Sequence, residues 1–301
     1  MSSWGIYLTS IISFWGKGGV GKTTCAASTA VKLASNGLKT LLVSSDPMPS
    51  LSDILELSSS NTLQDLPLHV LELSEDKVIE MWKREYGDEV YQVISAFLPV
   101  DKSIIDYVAG APGIADEFCL AYVMKLQREG AYDYIVWDTA PAGGTLKLLK
   151  LEEQLYKHLI EATKLYLTVK SVLKKIMRRE EADPLKILES WRKLAEETLA
   201  MLSSNSFKAH IVTIPEWLSI VQTERLVKEL TAFKVNIGKL IVNQVALDDQ
   251  ARKAMHQKYL SMLKEKLGFL EIIAIPVQRY ELRGLNNLLK FSMCLADVIP
   301  F

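Results

Sequence analysis

A glycine-rich stretch near the start of the chain constrains the fold more than any other segment. Residues 16–24 read GKGGVGKTT and fit the pattern G-x-x-x-x-G-K-[ST]. An apolar run over residues 7–14 precedes them and a helix-permissive run follows, which predicts a strand, a loop and a helix N-terminus in that order. The backbone N–H groups of such a loop, together with the helix dipole, form a cradle for phosphate.

This phosphate loop predicts a nucleotide site. Lys22 would bridge the β- and γ-phosphates, and the hydroxyl of Thr23 would bind magnesium. The same letters also satisfy G-x-G-x-x-G, and Asp46 lies at about the right distance to hold a ribose, so a dinucleotide site is the alternative. The Lys-Thr pair, which a dinucleotide site does not need, favours the phosphate loop. The predicted cradle consists of Gly16, Lys17, Gly18, Gly19, Val20, Gly21, Lys22, Thr23 and Thr24.

Two carboxylates follow predicted strands. Asp46 comes directly after the apolar residues 40–45, where a carboxylate can orient water or magnesium. The alternative for this region is helix capping, since Asp and Ser are common before a helix. Asp138 closes the strand predicted over residues 132–137, and together with the loop it predicts a second magnesium ligand.

Apolar runs alternate with helical patterns along the whole chain, which predicts a doubly wound, mostly parallel α/β sheet. Residues 76–85 and 90–97 each show helical spacing. A longer pattern over residues 152–179 reads as a helix that lines a groove or packs as core, with a basic tail that is solvated or binds lipid or nucleic acid. The predicted strands cover residues 7–14, 40–45, 68–73 (at a sheet edge), 132–137, 209–214, 239–242 and 271–275.

No linker or low-complexity stretch divides the chain, so we expect one domain over residues 1–301 that is interrupted by helices. The predicted core consists of residues 1–50, 131–150 and 207–301, and the predicted helical subdomain of residues 74–130 and 151–206.

Composition narrows the expected location and partners. The net charge of −1 provides no basic field that would draw the chain to nucleic acid. The three cysteines are far apart, which is typical of reduced thiols in a cytosol. No apolar run approaches the roughly 20 residues that span a bilayer, and the N-terminus does not resemble a signal peptide. We therefore expect a cytoplasmic protein that reaches membranes only through a partner or a bound segment.

Lysine directly after the first glycine makes the loop unusual. The stretch GKGGVGKTT resembles the deviant Walker A motif of the MinD, ParA, nitrogenase-iron-protein and arsenical-pump ATPases. Other segments resemble one branch of that class, which contains the arsenical-pump ATPase and the homologous ATPase that targets tail-anchored membrane proteins. These are SSDPMPSLSD (residues 44–53), PGIADEFCLAYVMKL (112–126), DTAPAGGTLKLL (138–149), IPEWLSIVQTERLVKEL (214–230), IVNQ (241–244) and IPVQRYELRGLNNLLKFS (275–292).

The resemblance implies an ATPase that closes as a homodimer over ATP and Mg²⁺. Lys17 would act on the partner's nucleotide, although it could also be a solvated loop lysine. Asp46 would polarise the attacking water, Asp138 would lie at the magnesium, and Asn243 and Pro276 would hold adenine. In the targeting branch, the helical subdomains bind the transmembrane helix of a tail-anchored client and deliver it to a membrane receptor.

Departures from the family pattern keep alternatives open. The first switch commonly reads D-P-A-H, whereas Asp46 is followed here by P-M-P, and the second switch reads Gly143-Gly144-Thr145 in place of G-H-T. No C-x-x-C follows Asn243, so we predict no zinc at the dimer interface. An arsenite- or anion-transport ATPase is the alternative function. A ParA- or MinD-like positioning protein is a weaker one, because it would need DNA or lipid binding.

Overall fold

The computed structural model describes residues 9–46, 50–57, 66–95, 99–111, 113–140 and 184–299. Within these ranges seven strands form one sheet, and every strand pair is parallel. The strands are β1 Ser10–Trp15, β2 Thr40–Ser44, β3 Leu68–Glu72, β4 Tyr134–Asp138, β5 Phe207–Thr213, β6 Ile237–Val245 and β7 Ile272–Pro276. Their order across the sheet is β3-β2-β4-β1-β5-β6-β7.

Helices connect and flank these strands. The described α-helices are α1 Lys22–Ser35, α2 Leu51–Leu55, α3 Glu75–Ser95, α4 Ile104–Ala109, α5 Ile114–Glu129, α6 Pro184–Ser203, α7 Trp217–Ala232, α8 Gln250–Leu267 and α9 Gly284–Ser292, followed by a 3₁₀ turn at Met293–Leu295. Among the helices of the described ranges, none is both long and apolar enough to cross a membrane. The helix predicted over residues 152–179 lies outside the described residues.

The predicted fold class is confirmed. Strands β1, β2 and β4 are almost entirely buried, as expected for parallel strands that are covered on both faces. Each of the predicted strands is present, and the one predicted at a sheet edge is the edge strand β3.

One helix prediction is wrong. Residues 76–85 and 90–97 read as two helices in the sequence, whereas α3 runs unbroken from Glu75 to Ser95. Gly87, in the middle of this helix, is buried, and a Cβ there would lie 3.3 Å from the Cγ2 atom of Ile105 in α4. The short helix α4 was not predicted, and its packing against α3 explains why a small residue suits that turn.

The chain forms two compact units. The first consists of Met1–Ser74, Lys125–Leu146 and Leu202–Phe301, and it contains the sheet. In its core the rings of Trp15 and Trp137 meet edge to face with their centroids 6.3 Å apart. Helix α1 packs against α9 and against the central strands, so the segment after β1 is held firmly.

The second unit consists of Glu75–Met124 and Lys147–Met201, and its described residues are helical or lie in helix connections. Aromatic side chains pack along α3 and α5: Tyr86 meets Phe118 edge to face at 6.1 Å, and Phe118 stacks on Tyr122 at 5.7 Å. The indole N–H of Trp191 in α6 donates a hydrogen bond of 2.9 Å to Glu89 in α3. The boundaries of the core and the helical subdomain that were predicted from the sequence stay a prediction.

Candidate nucleotide-binding site

The phosphate loop connects the central strand β1 to α1. A Cβ atom at Gly16 would collide with the carbonyl oxygen of Val212 on the neighbouring strand β5. Gly21 has φ +98°, and a Cβ atom there would collide with the side-chain amide of Asn243. Gly16 is therefore required by the close approach of a neighbouring backbone. Gly21 is required by the close approach of the Asn243 side chain and by its own left-handed backbone. Gly18, between them, faces open space.

Lys22, the first residue of α1, is buried at the loop. Its ammonium donates a hydrogen bond of 3.2 Å to the carbonyl oxygen of Lys17. Burial lowers the pKa of Lys22, while the charges of Asp138 and Asp46 act in the opposite direction. A buried ammonium beside exposed backbone N–H groups is a suitable environment for a phosphate.

Thr23 and Asp138 meet next to this lysine. The hydroxyl of Thr23 donates a hydrogen bond of 2.8 Å to Oδ2 of Asp138. Asp138 ends β4 and lies opposite Phe14 of β1 and Ser44 of β2 in the sheet register. Its side chain is fully buried, and Oδ1 has no hydrogen-bond partner among the described residues.

The electrostatics of Asp138 fit a cation site. Burial raises the pKa of its carboxyl from 3.8 to about 6, although the Thr23 hydrogen bond and the charge of Lys22 oppose this shift. Magnesium prefers oxygen ligands and usually keeps several waters. The orphaned Oδ1 atom and the adjacent hydroxyl are oxygen donors of that kind, so these residues fit a magnesium ion.

Asp46 lies just beyond Ser44, the last residue of β2. Its backbone N–H donates a hydrogen bond of 3.2 Å to the hydroxyl of Ser44. Its charge acts on both Lys22 and Asp138, which places it in the same electrostatic environment. The remaining residues of the first switch, 47–49, and the second switch, 143–145, lie outside the described residues.

Lys17 points toward the segment after β5. Its ammonium lies 3.8 Å from Oε2 of Glu216, which directly precedes α7. The lysine is about one-quarter exposed and the glutamate more than half exposed, so water screens this ion pair. Sequence reasoning did not single out Glu216, and only its place inside the family-like segment 214–230 could have pointed to it.

A pocket of about 270 Å³ opens beside the end of the phosphate loop. Asn243 and Pro276, the residues predicted to hold adenine, both line it. The amide of Asn243 donates to the carbonyl of Val20 at 3.0 Å and accepts from the backbone N–H of Gln244 at 2.9 Å. One N–H and one lone pair of this amide remain for a base. The other lining residues are Gly21, Thr24, Gln244, Val277, Gln278, Tyr280 and Leu282.

The structure thus brings the loop, Asp46, Asp138, Asn243 and Pro276 to the carboxyl ends of the parallel strands. That edge is where open α/β sheets bind their ligands. The fold and the loop together define a phosphate-loop nucleoside triphosphatase.

Comparison with known proteins gives the family. The profile of the anion-transporting ATPase family matches residues 9–297. The arsenical pump-driving ATPase 2 of Aquifex aeolicus is 33% identical, over 95% of this chain and 98% of its own length. ATPase ASNA1 homolog 2 of Paramecium tetraurelia is 30% identical over 93% and 91%, and ATPase GET3 of Komagataella phaffii is 29% identical over 94% and 88%. The chain belongs to the anion-transporting ATPase family, and it is an ATPase.

Proposed function

We propose that this ATPase is a homodimeric switch that binds the transmembrane helix of tail-anchored proteins and delivers them to a membrane receptor. The observation that carries this proposal is an apolar pocket of about 230 Å³ within the helical unit. The relatives of this chain named GET3 and ASNA1 also favour the branch of the family that targets tail-anchored proteins. The cytoplasm is the compartment in which such a switch would meet its clients.

The nucleotide cycle rests on the site described above. Lys22 and the loop N–H groups would hold the phosphates of ATP, and Thr23 and Asp138 would hold Mg²⁺. When bound, magnesium neutralises charge on the phosphates and so favours their displacement by water. Asp46 would orient and polarise that water, which yields ADP and phosphate. Asn243 and Pro276 would hold the adenine.

Exposed apolar side chains support a homodimer. They lie in the segments after the carboxyl ends of β5, β6 and β7, at the same sheet edge as the phosphate loop. The segments after β6 and β7 are hydrogen-bonded: the Val277 N–H donates to the Val245 carbonyl at 3.0 Å, and within the segment after β6 the Ala246 N–H donates to His256 of α8 at 2.9 Å. We call the surface formed by the exposed apolar side chains of these segments the edge surface. It consists of Trp217, Leu218, Leu247, Met255 and Val277.

A second copy that covers the edge surface would bury apolar area and bring its nucleotide close to Lys17. Leu218→Glu should then shift the protein with ATP from dimer to monomer in size-exclusion chromatography with light scattering. Phe269→Glu is the matched control, because Phe269 is also apolar and more than half exposed but precedes β7, at the amino-terminal ends of the strands. Equal behaviour of the two variants would refute this dimer surface.

The pocket of the helical unit suits an apolar helix. Aromatic side chains from α3, α5 and α6 form much of its wall, and aliphatic ones and the single carboxylate residue Glu117 complete it. When a hydrophobic segment covers the apolar surface of a pocket of this kind, the free energy of the complex falls. The lining residues are Trp82, Tyr86, Val90, Val108, Ile114, Glu117, Phe118, Ala121, Trp191, Leu194 and Ala195.

Co-purification tests the proposal. The Asp46→Asn variant with ATP should hold a model tail-anchored protein, and a client whose transmembrane segment is replaced by a polar one should be lost. Val108→Gln should weaken capture, whereas Tyr107→Gln should not, because Tyr107 is exposed and does not line the pocket. Failure to capture the apolar client, with hydrolysis intact in the parent protein, would refute the targeting role.

A metalloid- or anion-transport ATPase is the second candidate, and the name of the Aquifex relative favours it. Arsenite would then stimulate ATP hydrolysis. Measurement of turnover with and without arsenite decides this, and an unchanged rate would refute the candidate.

A further inference from the structure

Ser44 is hydrogen-bonded both to Asp138 and to the backbone of Asp46. It is the last residue of β2 and is buried. In the sheet register it lies between Asp138 on β4 and Glu72 on β3. A small hydroxyl at this position can reach the ends of both neighbouring strands.

Its hydroxyl makes two hydrogen bonds, one to each partner in the proposed chemistry. The O–H donates to Oδ2 of Asp138 at 3.4 Å, and the oxygen accepts from the backbone N–H of Asp46 at 3.2 Å. One hydroxyl can do both, because it has one proton and two lone pairs. The hydroxyl therefore bridges the proposed magnesium carboxylate and the backbone of the proposed water-polarising residue.

This bridge also selects which oxygen of Asp138 is free. Thr23 and Ser44 both donate to Oδ2, and Oδ1 is left without a hydrogen-bond partner in the described part of the chain. Two donors on the same oxygen restrict rotation of the carboxylate. Thr23 belongs to the phosphate loop and Ser44 to a neighbouring strand, so the two restraints come from different elements.

We propose that Ser44 is a positioning residue for ATP hydrolysis, which orients Asp138 toward magnesium and holds the backbone of Asp46 beside it. The inference rests on the roles proposed above for these two aspartates. Ser44 needs no contact with the nucleotide, and its effect passes through its neighbours.

The adjacent Ser45 offers a matched control. Its hydroxyl accepts a hydrogen bond of 3.0 Å from the indole N–H of Trp137 and takes no part in the bridge. Ser45→Ala removes the same atom one residue away and leaves a buried indole N–H unpaired. Any general damage from loss of a hydroxyl in this strand end would therefore affect Ser45→Ala as well.

The test compares Ser44→Ala, Ser44→Thr and Ser45→Ala by steady-state ATPase kinetics at varied free Mg²⁺. For Ser44→Ala we expect kcat to fall about tenfold and half-saturating Mg²⁺ to rise several-fold, while KM for MgATP stays within about twofold. Ser44→Thr, which keeps the hydroxyl, should retain most of the activity, and Ser45→Ala should stay within about twofold of the parent. Should thermal unfolding show that Ser44→Ala is not folded, Ser44→Cys, which keeps the volume with a weaker donor, replaces it.

Two results would overturn the inference: an unchanged kcat and Mg²⁺ requirement in Ser44→Ala, or an equal loss in Ser45→Ala. Asp138→Asn separates this failure from failure of the proposed site. An inactive Asp138→Asn with a fully active Ser44→Ala would remove only the positioning role. An active Asp138→Asn would remove the magnesium site and the role of Ser44 together.

Discussion

Asp138→Asn should become more stable relative to the parent as pH rises from 5 to 8 in the nucleotide-free protein, and it should abolish hydrolysis. Burial raises the pKa of this carboxyl from 3.8 to about 6, so its ionised form is unfavourable in the folded state. Because the folded pKa is above the unfolded one, the cost is absent below about pH 3.8 and complete above about pH 6. The asparagine variant has no carboxyl and does not carry this cost.

The magnitude follows from the two pKa values. A rise from 3.8 to about 6 corresponds to about 3 kcal/mol of unfolding free energy at pH 8, and to about half of that at pH 5. Asparagine also places an NH₂ group where Oδ1 lies, and an unpaired buried donor costs about 1–3 kcal/mol at every pH. The diagnostic quantity is therefore the pH-dependent part, a difference of about 1.5 kcal/mol between pH 5 and pH 8.

Urea unfolding in EDTA, followed by tryptophan fluorescence at both pH values, measures this difference between variant and parent. Asp133→Asn is the control, because Asp133 accepts the Lys39 N–H at 2.8 Å in an exposed position and therefore carries no comparable cost of burial. If the free energy of unfolding of Asp138→Asn, measured relative to the parent, were the same at pH 5 and pH 8 or larger at pH 5, the reasoning on desolvation would be wrong.

Three further outcomes follow from the geometry. Gly21→Ala should weaken ATP binding at least about tenfold in a titration, because its backbone is left-handed and a Cβ would strike Asn243, whereas Gly18→Ala should leave the thermal unfolding temperature unchanged. Lys17→Ala should lower turnover about tenfold or more without a change in unfolding temperature, since its ion pair is exposed; a parental rate would exclude a role across the dimer. Burial lowers the pKa of His210 to about 3, so stability should fall as pH drops below 6.5, and His210→Gln should remove about 3 kcal/mol of that loss by pH 4 in urea unfolding.

The elements that the sequence predicted well are those whose signal is local. Strands β1, β2 and β4 are short apolar runs with turn residues at both ends, because a buried parallel strand must be apolar on both faces. The phosphate loop is likewise a contiguous motif, and its position after the first strand fixes the edge at which the other site residues had to be sought. Even the edge position of β3 followed from its alternating pattern.

What the sequence did not predict depends on contacts between distant segments. The pairing of Lys17 with Glu216 joins residues almost 200 positions apart, and no spacing rule connects them. The bridge through Ser44 requires β2 to lie beside β4, which is a property of the strand order. The continuity of α3 through Gly87 depends on how closely α4 packs there, and helix periodicity contains no information on that packing.

The site also gathers groups that are unfavourable without a ligand. Lys22 is a buried ammonium, and Asp138 is a buried carboxyl with one oxygen that has no hydrogen-bond partner in the described part of the chain. Both raise the free energy of the nucleotide-free protein, and MgATP would relieve them by pairing a phosphate with the ammonium and a cation with the carboxylate. Binding of MgATP should therefore stabilise the parent more than it stabilises Asp138→Asn, where one of the two relieved costs is already gone.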